Sequence, residues 1–177
     1  MKKLINSPED FARETVEGIV AAHSDQLKIL DDSWHRMVRA DEKKAGKVAI
    51  TTGGGSGHLP VFLGYVGYGL CDGVTIGNVF ASPSAEDMYE VDKAAHSGAG
   101  VLHLYGRYGG DIMNFGMAKD LCEMDDIEVR EVLVTDDVAS APKGSEDKRR
   151  GVAGLVFAYK IAGAAAEKML SLDEVTR

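Results

Sequence analysis

KVAITTGGGSGHLP, residues 47–60, decides how this chain is read. Its first half is a β-branched run of strand length, so residues 47–52 predict a β-strand. The glycines that follow predict the end of that strand, because each forfeits backbone order. A cluster of this kind marks either a tight turn or a place where main-chain N–H groups come close to a ligand. Ser56 and His58 lie inside it and add a hydroxyl and an imidazole.

Working outward, helices and strands alternate. Ser7, Pro8, Glu9 and Asp10 give a cap, a first-turn proline and acidic first-turn residues ahead of Phe11, Val16, Ile19 and Val20, which predicts a helix over 8–22. LKIL and the stretch around Met37 and Val38 predict short strands. Ser84 with Asp87 after it, and a stop at Gly98, predict a helix over 84–97. Strands follow at 101–105 and 129–135, with a helix over 111–124 between them and a small-residue-rich helix over 151–170. The GYVGYG stretch (64–69) reads as a close-packed turn, and 139–151, rich in charge, Pro, Gly and Ser, as a solvated, mobile surface loop rather than a lid. Trp34, Tyr68 and Tyr105 read as core or interface aromatics.

Strands separated by helices argue for the α/β class, a largely parallel sheet flanked by helices. In such sheets ligands bind beyond the carboxyl ends of the strands. Three loops that leave strands carry the unusual residues: GGGSGH, GRYGGD and DDVAS. Parallel strands place all three on one rim.

Composition narrows the function. The chain has 177 residues, 45% of them hydrophobic, enough for one domain with a core. A formal net charge of −8 argues against nucleic acid and anionic membrane surfaces as partners. Cys71 and Cys122 have no metal-ligand spacing and read as reduced thiols. No apolar run approaches the length of a membrane span, so a soluble cytoplasmic protein is expected.

The glycine cluster fits neither nucleotide motif. A P-loop needs a lysine after its last glycine, and a dinucleotide fingerprint started at Gly53 or Gly55 finds His58 or Pro60 where its third glycine belongs. Binding of a nucleotide by this chain is therefore not expected. A loop of free N–H groups with a hydroxyl and an imidazole suits a small polar molecule, with His58 able to exchange protons with its oxygens. Asp111, behind two glycines at a helix start, reads either as an N-cap or as an acceptor for a substrate hydroxyl proton.

These residues bring a resemblance with them. From MKKLIN through AGKVAITTGGGSGHLP, GNVFASP, GRYGGDIMNF, DDVA and RRGVAG to IAGAAAEK and SLDEV, the chain resembles the N-terminal half of the dihydroxyacetone kinase K subunit family. The resemblance implies the corresponding fold over 1–177. It also implies a substrate loop at Gly55, Ser56, Gly57 and His58, an acidic catalytic residue at Asp111 and a catalytic role for His58. The substrate implied is dihydroxyacetone or a related short ketose. The phosphoryl donor, ATP or ADP with Mg, is expected on a partner L-type subunit or domain, with no cofactor or metal held by this chain, and a homodimer is expected. The glycines would clear space for a three-carbon substrate.

The sequence departs from the family at Gly106, where members commonly carry a lysine that contributes to the substrate site. The family also forms a covalent hemiaminal on a later histidine. His23, His35, His96 and His103 match no such position, and the last two read as structural, so the chain is expected to be one domain of a longer K-type protein. The alternative reading is a non-catalytic, dihydroxyacetone-sensing paralogue that binds a transcription regulator.

Overall fold

A computed structural model describes residues 3–177. Six strands form one sheet: β1 (Leu27–Leu30), β2 (Ser33–Arg39), β3 (Ala49–Gly55), β4 (Gly73–Gly77), β5 (Val101–Gly106) and β6 (Val129–Val134), in the order β1-β2-β4-β3-β5-β6. β4, β3, β5 and β6 are parallel, and the β1–β2 hairpin adds antiparallel to β4. The largely parallel α/β sheet expected from the sequence is what forms.

The alternation of side chains along the central strands divides the core. Ile50, Leu102 and Leu104 face one side, where α1 (Phe11–Ala22), α4 (Gly154–Glu167) and α5 (Leu172–Thr176) contribute Val16, Tyr159, Ala162 and Leu172. Ala49, Val101 and Tyr105 face the other side, against α2 (Ala85–Ala95) and α3 (Gly109–Met124). Tyr105 stacks on Phe115 at 4.1 Å between ring centres. Small residues on α4 allow the close packing expected of them: a Cβ on Gly163 would meet the Gly69 carbonyl at 2.3 Å, which also makes 64–69 the packed turn predicted. Tyr105 is core, whereas Tyr68 is exposed. Among the described residues no helix is long and apolar enough to cross a membrane.

Several boundaries moved, each for a local reason. α1 begins at Phe11 rather than residue 8, because the Ser7 hydroxyl accepts the Glu9 N–H and closes a separate turn. Ser84 caps α2 as predicted, accepting the Asp87 N–H at 3.1 Å. β3 does not stop at Thr52 but runs through Gly53, Gly54 and Gly55, which stay paired with Thr75, Ile76 and Gly77 of β4. β4 itself and α5 were not predicted.

Most buried polar groups on the sheet are paired, Thr75 Oγ1 and His103 Nδ1 being exceptions. Asp92 accepts from Thr51 at 2.7 Å and pairs with His103 Nε2 at 2.7 Å, which gives His103 the structural role expected of it. At the amino ends of the parallel strands, Lys47 holds Asp72 at 2.6 Å, and Arg39 reaches Asp72 at 3.0 Å and Glu167 at 2.7 Å.

Candidate active site

The loops leaving β3, β5 and β6 do open on one rim, and a cavity of about 310 Å³ lies there. Gly55 and His58 come from the first loop, Tyr108 and Asp111 from the second, and Phe80, Ala81 and Ser82 from the segment after β4. Gly151, Val152 and Leu155, at the start of α4, close the far side. The structure thus brings together three of the predicted site residues, Gly55, His58 and Asp111. Ser56 is buried and Gly57 is exposed, and neither lines the cavity.

Two N–H groups of the glycine loop are committed: Ser56 N–H donates to the Asn78 carbonyl at 3.2 Å and Gly57 N–H to Val79 at 3.0 Å. At Gly54 and Gly57 the bareness admits neighbouring chain, while Gly55 lines the cavity. A Cβ on Gly57 would meet the Val79 carbonyl at 2.4 Å, and one on Gly54 would meet the Phe62 ring at 2.2 Å. Phe62, a wall of the cavity, is seated over Gly54 with φ 69° and ψ −73°, a strained conformation for a bulky L-residue and one that concentrates at functional sites.

Asp111 is the third residue of α3, not its cap; that place falls to Tyr108. The residue is 7% exposed, and its Oδ1 has no hydrogen-bond partner. Burial pushes the carboxyl above its ordinary pKa, while the Ser82 side chain and the nearby His58 pull the other way. Ser56 Oγ, one residue beyond the lining Gly55, is also buried without a partner. Buried polar atoms are nearly always satisfied, and of those without a partner Asp111 Oδ1 is the one whose residue lines the cavity, where a ligand hydroxyl could reach it. His58 is exposed, with its ring edge-on to Phe62 at 6.2 Å.

Hydrogen bonds from distant segments hold these walls. Asn114 Nδ2 donates to the Pro83 carbonyl at 2.7 Å and fixes the 78–83 segment to α3. Asp136 accepts Val152 N–H at 2.7 Å and Gly154 N–H at 2.8 Å. Burial raises the pKa of that carboxyl, but the two N–H bonds outweigh it and hold it below its ordinary value. Tyr108 donates to the Gly151 carbonyl at 3.1 Å. The end of the loop expected over 139–151 is therefore pinned into the cavity wall. Ser82, Tyr108 and Gly151 had not been singled out as site residues, although each lies within or next to a string that carried the resemblance. Among the described residues no group of acidic, histidine and cysteine side chains could hold a metal.

The chain is 47% identical over 175 residues to the L-erythrulose kinase of Pectobacterium atrosepticum, covering 99% of this chain and 29% of that one. It is 44% identical to the PTS-dependent dihydroxyacetone kinase 1, dihydroxyacetone-binding subunit DhaK, of Listeria innocua, covering 99% of this chain and 53% of that one. The chain thus spans about half, or less, of the length of these relatives. Its fold matches the dihydroxyacetone kinase of C. freundii with a TM-score of 0.89 at 32% identity, over 98% of this chain and 32% of that one. It also matches the dihydroxyacetone kinase operon co-activator Dha-DhaQ with a TM-score of 0.81 at 30% identity, over 92% of this chain and 49% of that one. The Dak1 domain matches residues 17–177, and the chain belongs to the Dak1 domain family, that of the dihydroxyacetone kinase K subunits it resembles.

Proposed function

We propose that this chain is the ketose-binding part of a kinase that phosphorylates dihydroxyacetone or a related short ketose such as erythrulose. The observation that carries the reading is the buried, unpartnered Oδ1 of Asp111, in a cavity that His58 also lines. At about 310 Å³ the cavity stands at the small end of ligand sites. A substrate hydroxyl would supply the bond that Oδ1 lacks. Asp111 would accept that hydroxyl's proton as its oxygen attacks phosphorus, and a pKa raised by burial makes it the stronger base. His58 would hold or protonate a second ketose oxygen.

The donor is assigned to a partner L-type subunit or domain carrying ATP or ADP with Mg. The committed N–H groups of Ser56 and Gly57 support this assignment, since they offer no phosphate cradle. Calorimetry should find no micromolar ATP binding to the chain by itself. The protein is expected to be a cytoplasmic homodimer.

The test is ligand titration followed by amide NMR. Dihydroxyacetone should shift the amides of 55–58, 82 and 108–111, and glycerol should compete with little disadvantage, because His58 is the only histidine lining the cavity among the described residues. With partner subunit and donor, His58→Ala and Asp111→Ala should each lower phosphorylation by ~100-fold. No ketose response at these amides would refute the reading. A second reading, a dihydroxyacetone-sensing protein that binds a transcription regulator, is favoured by the likeness to the co-activator and by Gly106. Ketose binding with no turnover beside an active partner subunit would select it.

A further inference from the structure

Phe62 adopts a backbone conformation that bulky side chains avoid. With φ 69° and ψ −73°, and with Leu63 N–H donating to the Val61 carbonyl at 3.0 Å, residues 61–63 close a γ-turn of the rare, strained hand. Such strain persists only where the surroundings enforce it. Val61 N–H donates to the His58 carbonyl at 2.9 Å, Gly64 N–H to Pro60 at 2.8 Å and Tyr65 N–H to Phe62 at 3.0 Å, so 58–65 forms one tight unit.

The position of the ring shows what the strain achieves. Phe62 is 6% exposed and belongs to the main core, with the tip of its ring laid on the bare Cα of Gly54: a Cβ there would stand 2.2 Å from Cε2 and 2.4 Å from Cζ. Gly54 is fixed in its turn by the pairing of β3 with β4 at Ile76. An ordinary negative φ at residue 62 would turn the Cα–Cβ bond to another side of the chain and lift the ring from this seat. From the seat the ring lines the cavity and meets the His58 imidazole edge to face, with ring centres 6.2 Å apart at 87°. His58 is exposed, and among the described residues its imidazole makes no hydrogen bond and no ion pair. The Phe62 ring is the support that remains.

We propose that Phe62 is a positioning residue: its strained turn wedges the ring between Gly54 and His58, and the ring fixes the imidazole at the cavity wall. The inference rests on the proposed role of His58 in turnover, though the ring contact does not. An imidazole free to rotate about its side-chain bonds is aimed at a ketose oxygen only part of the time; one held by a neighbour is preorganised for proton exchange. Phe62 acts through His58, so its loss should reach kcat more than ketose affinity.

NMR of the ligand-free chain reads the contact first. Cross-relaxation is expected between the ring protons of His58 and Phe62, together with the strong intraresidue N–H to Hα cross-peak of a positive φ at Phe62; absence of either would overturn the inference before any variant is made. Phe62→Leu keeps apolar bulk and removes the aromatic ring, while Gly54→Ala pushes the ring off its seat with Phe62 left in place. In each variant that urea titration shows to be folded, kcat with partner subunit and donor should fall ~10-fold while the half-saturating ketose concentration shifts by less than ~3-fold. The decisive measurement is a double-mutant cycle: in the His58→Ala background the same substitutions should lower kcat by less than ~2-fold. An equal fall in both backgrounds would reduce Phe62 to a core residue and overturn the positioning role. A parent that shows the ring contact but neither binds nor turns over a ketose would instead count against the kinase reading and leave the hold on the imidazole standing.

Discussion

The two ends of the parallel strands are built from similar material and do opposite things with it. At the amino ends a cavity of about 360 Å³ lies over Arg39, Lys47, Asp72 and Glu167. At the carboxyl ends a cavity of about 310 Å³ lies over His58, Asp111 and Ser82. Both bury carboxylates. At the amino end each buried charge is answered: Asp72 takes both Lys47 contacts, Arg39 and the Ile50 N–H. At the carboxyl end Asp111 Oδ1 and Ser56 Oγ have no partner. Cavity size and charge content therefore do not distinguish the two ends; the state of satisfaction of the lining carboxylates does. The amino-end network ties β2, β3, the start of β4 and the end of α4, whereas on the proposed reading the carboxyl-end group is completed by a ligand.

The comparison can be broken most directly at Asp72. Asp72→Ala leaves buried Lys47 only the longer Glu167 contact at 3.6 Å and removes one of the carboxylates on Arg39, and should cost about 3 kcal/mol in urea unfolding, with ketose binding kept where the protein is still folded. A loss below about 1 kcal/mol would show that the network is not structural. Asp111→Ala should behave in reverse. Phosphorylation should fall ~100-fold, equivalent to about 2.7 kcal/mol, while the unfolding midpoint holds or rises, because burial outweighs the Ser82 and His58 interactions of this carboxylate. A large drop in stability would make Asp111 a scaffold residue.

Gly77→Ala sharpens the contrast between chain packing and ligand clearance. The new Cβ would meet the Ala81 carbonyl at 2.0 Å, so about 2 kcal/mol of stability should be lost and ketose binding weakened as the 78–83 segment shifts. Binding that improves, with the fold intact, would restore the view that these glycines clear space for substrate.

The smallest effect is the pH response, and its sign differs between the two ends. Burial raises the pKa of Glu167, but Arg39 and Lys47 outweigh it, so the folded value lies below the ordinary 4.5. Its contribution is present above pH 4.5 and is lost as pH falls through the folded value. Asp111 has its pKa raised by burial above 3.8, so its ionisation weakens the fold as pH rises through the folded value. Asp111→Asn should be more stable than the parent near neutrality, and the two should converge as pH falls toward 3.8. Denaturation profiles that stay parallel down to that pH would contradict the assignment.

Much of this was legible in the sequence. Alternating strand and helix signals gave the parallel sheet and the common rim, and Ser84 with Asp87 marked α2 because capping is local chemistry. β4 escaped because glycines bound it on both sides, at Gly73 and Gly77, and glycine reads as punctuation even where a strand needs it for close packing. The same bias ended β3 too early. His58 and Asp111 stood out by residue type and neighbours. Ser82 and Gly151 could not be placed beside them from patterning, since their nearness to Asp111 and Tyr108 depends on the crossovers that follow β4 and β6. The orphaned state of Asp111 Oδ1 exists only once the sheet has formed around it.

The interlocked glycines also say where this protein can change. Gly54 is filled by the Phe62 ring, and Gly57 and Gly77 by the Val79 and Ala81 carbonyls, so this edge of the cavity is packed by neighbouring chain and tolerates little variation. Phe80 is 92% exposed and Val152 is 52% exposed, and both line the opening with side chains that nothing else holds. If the cavity is the proposed ketose site, substrate range is adjustable from Phe80 and Val152, and a library aimed at longer ketoses should vary that lip and leave the glycine edge untouched.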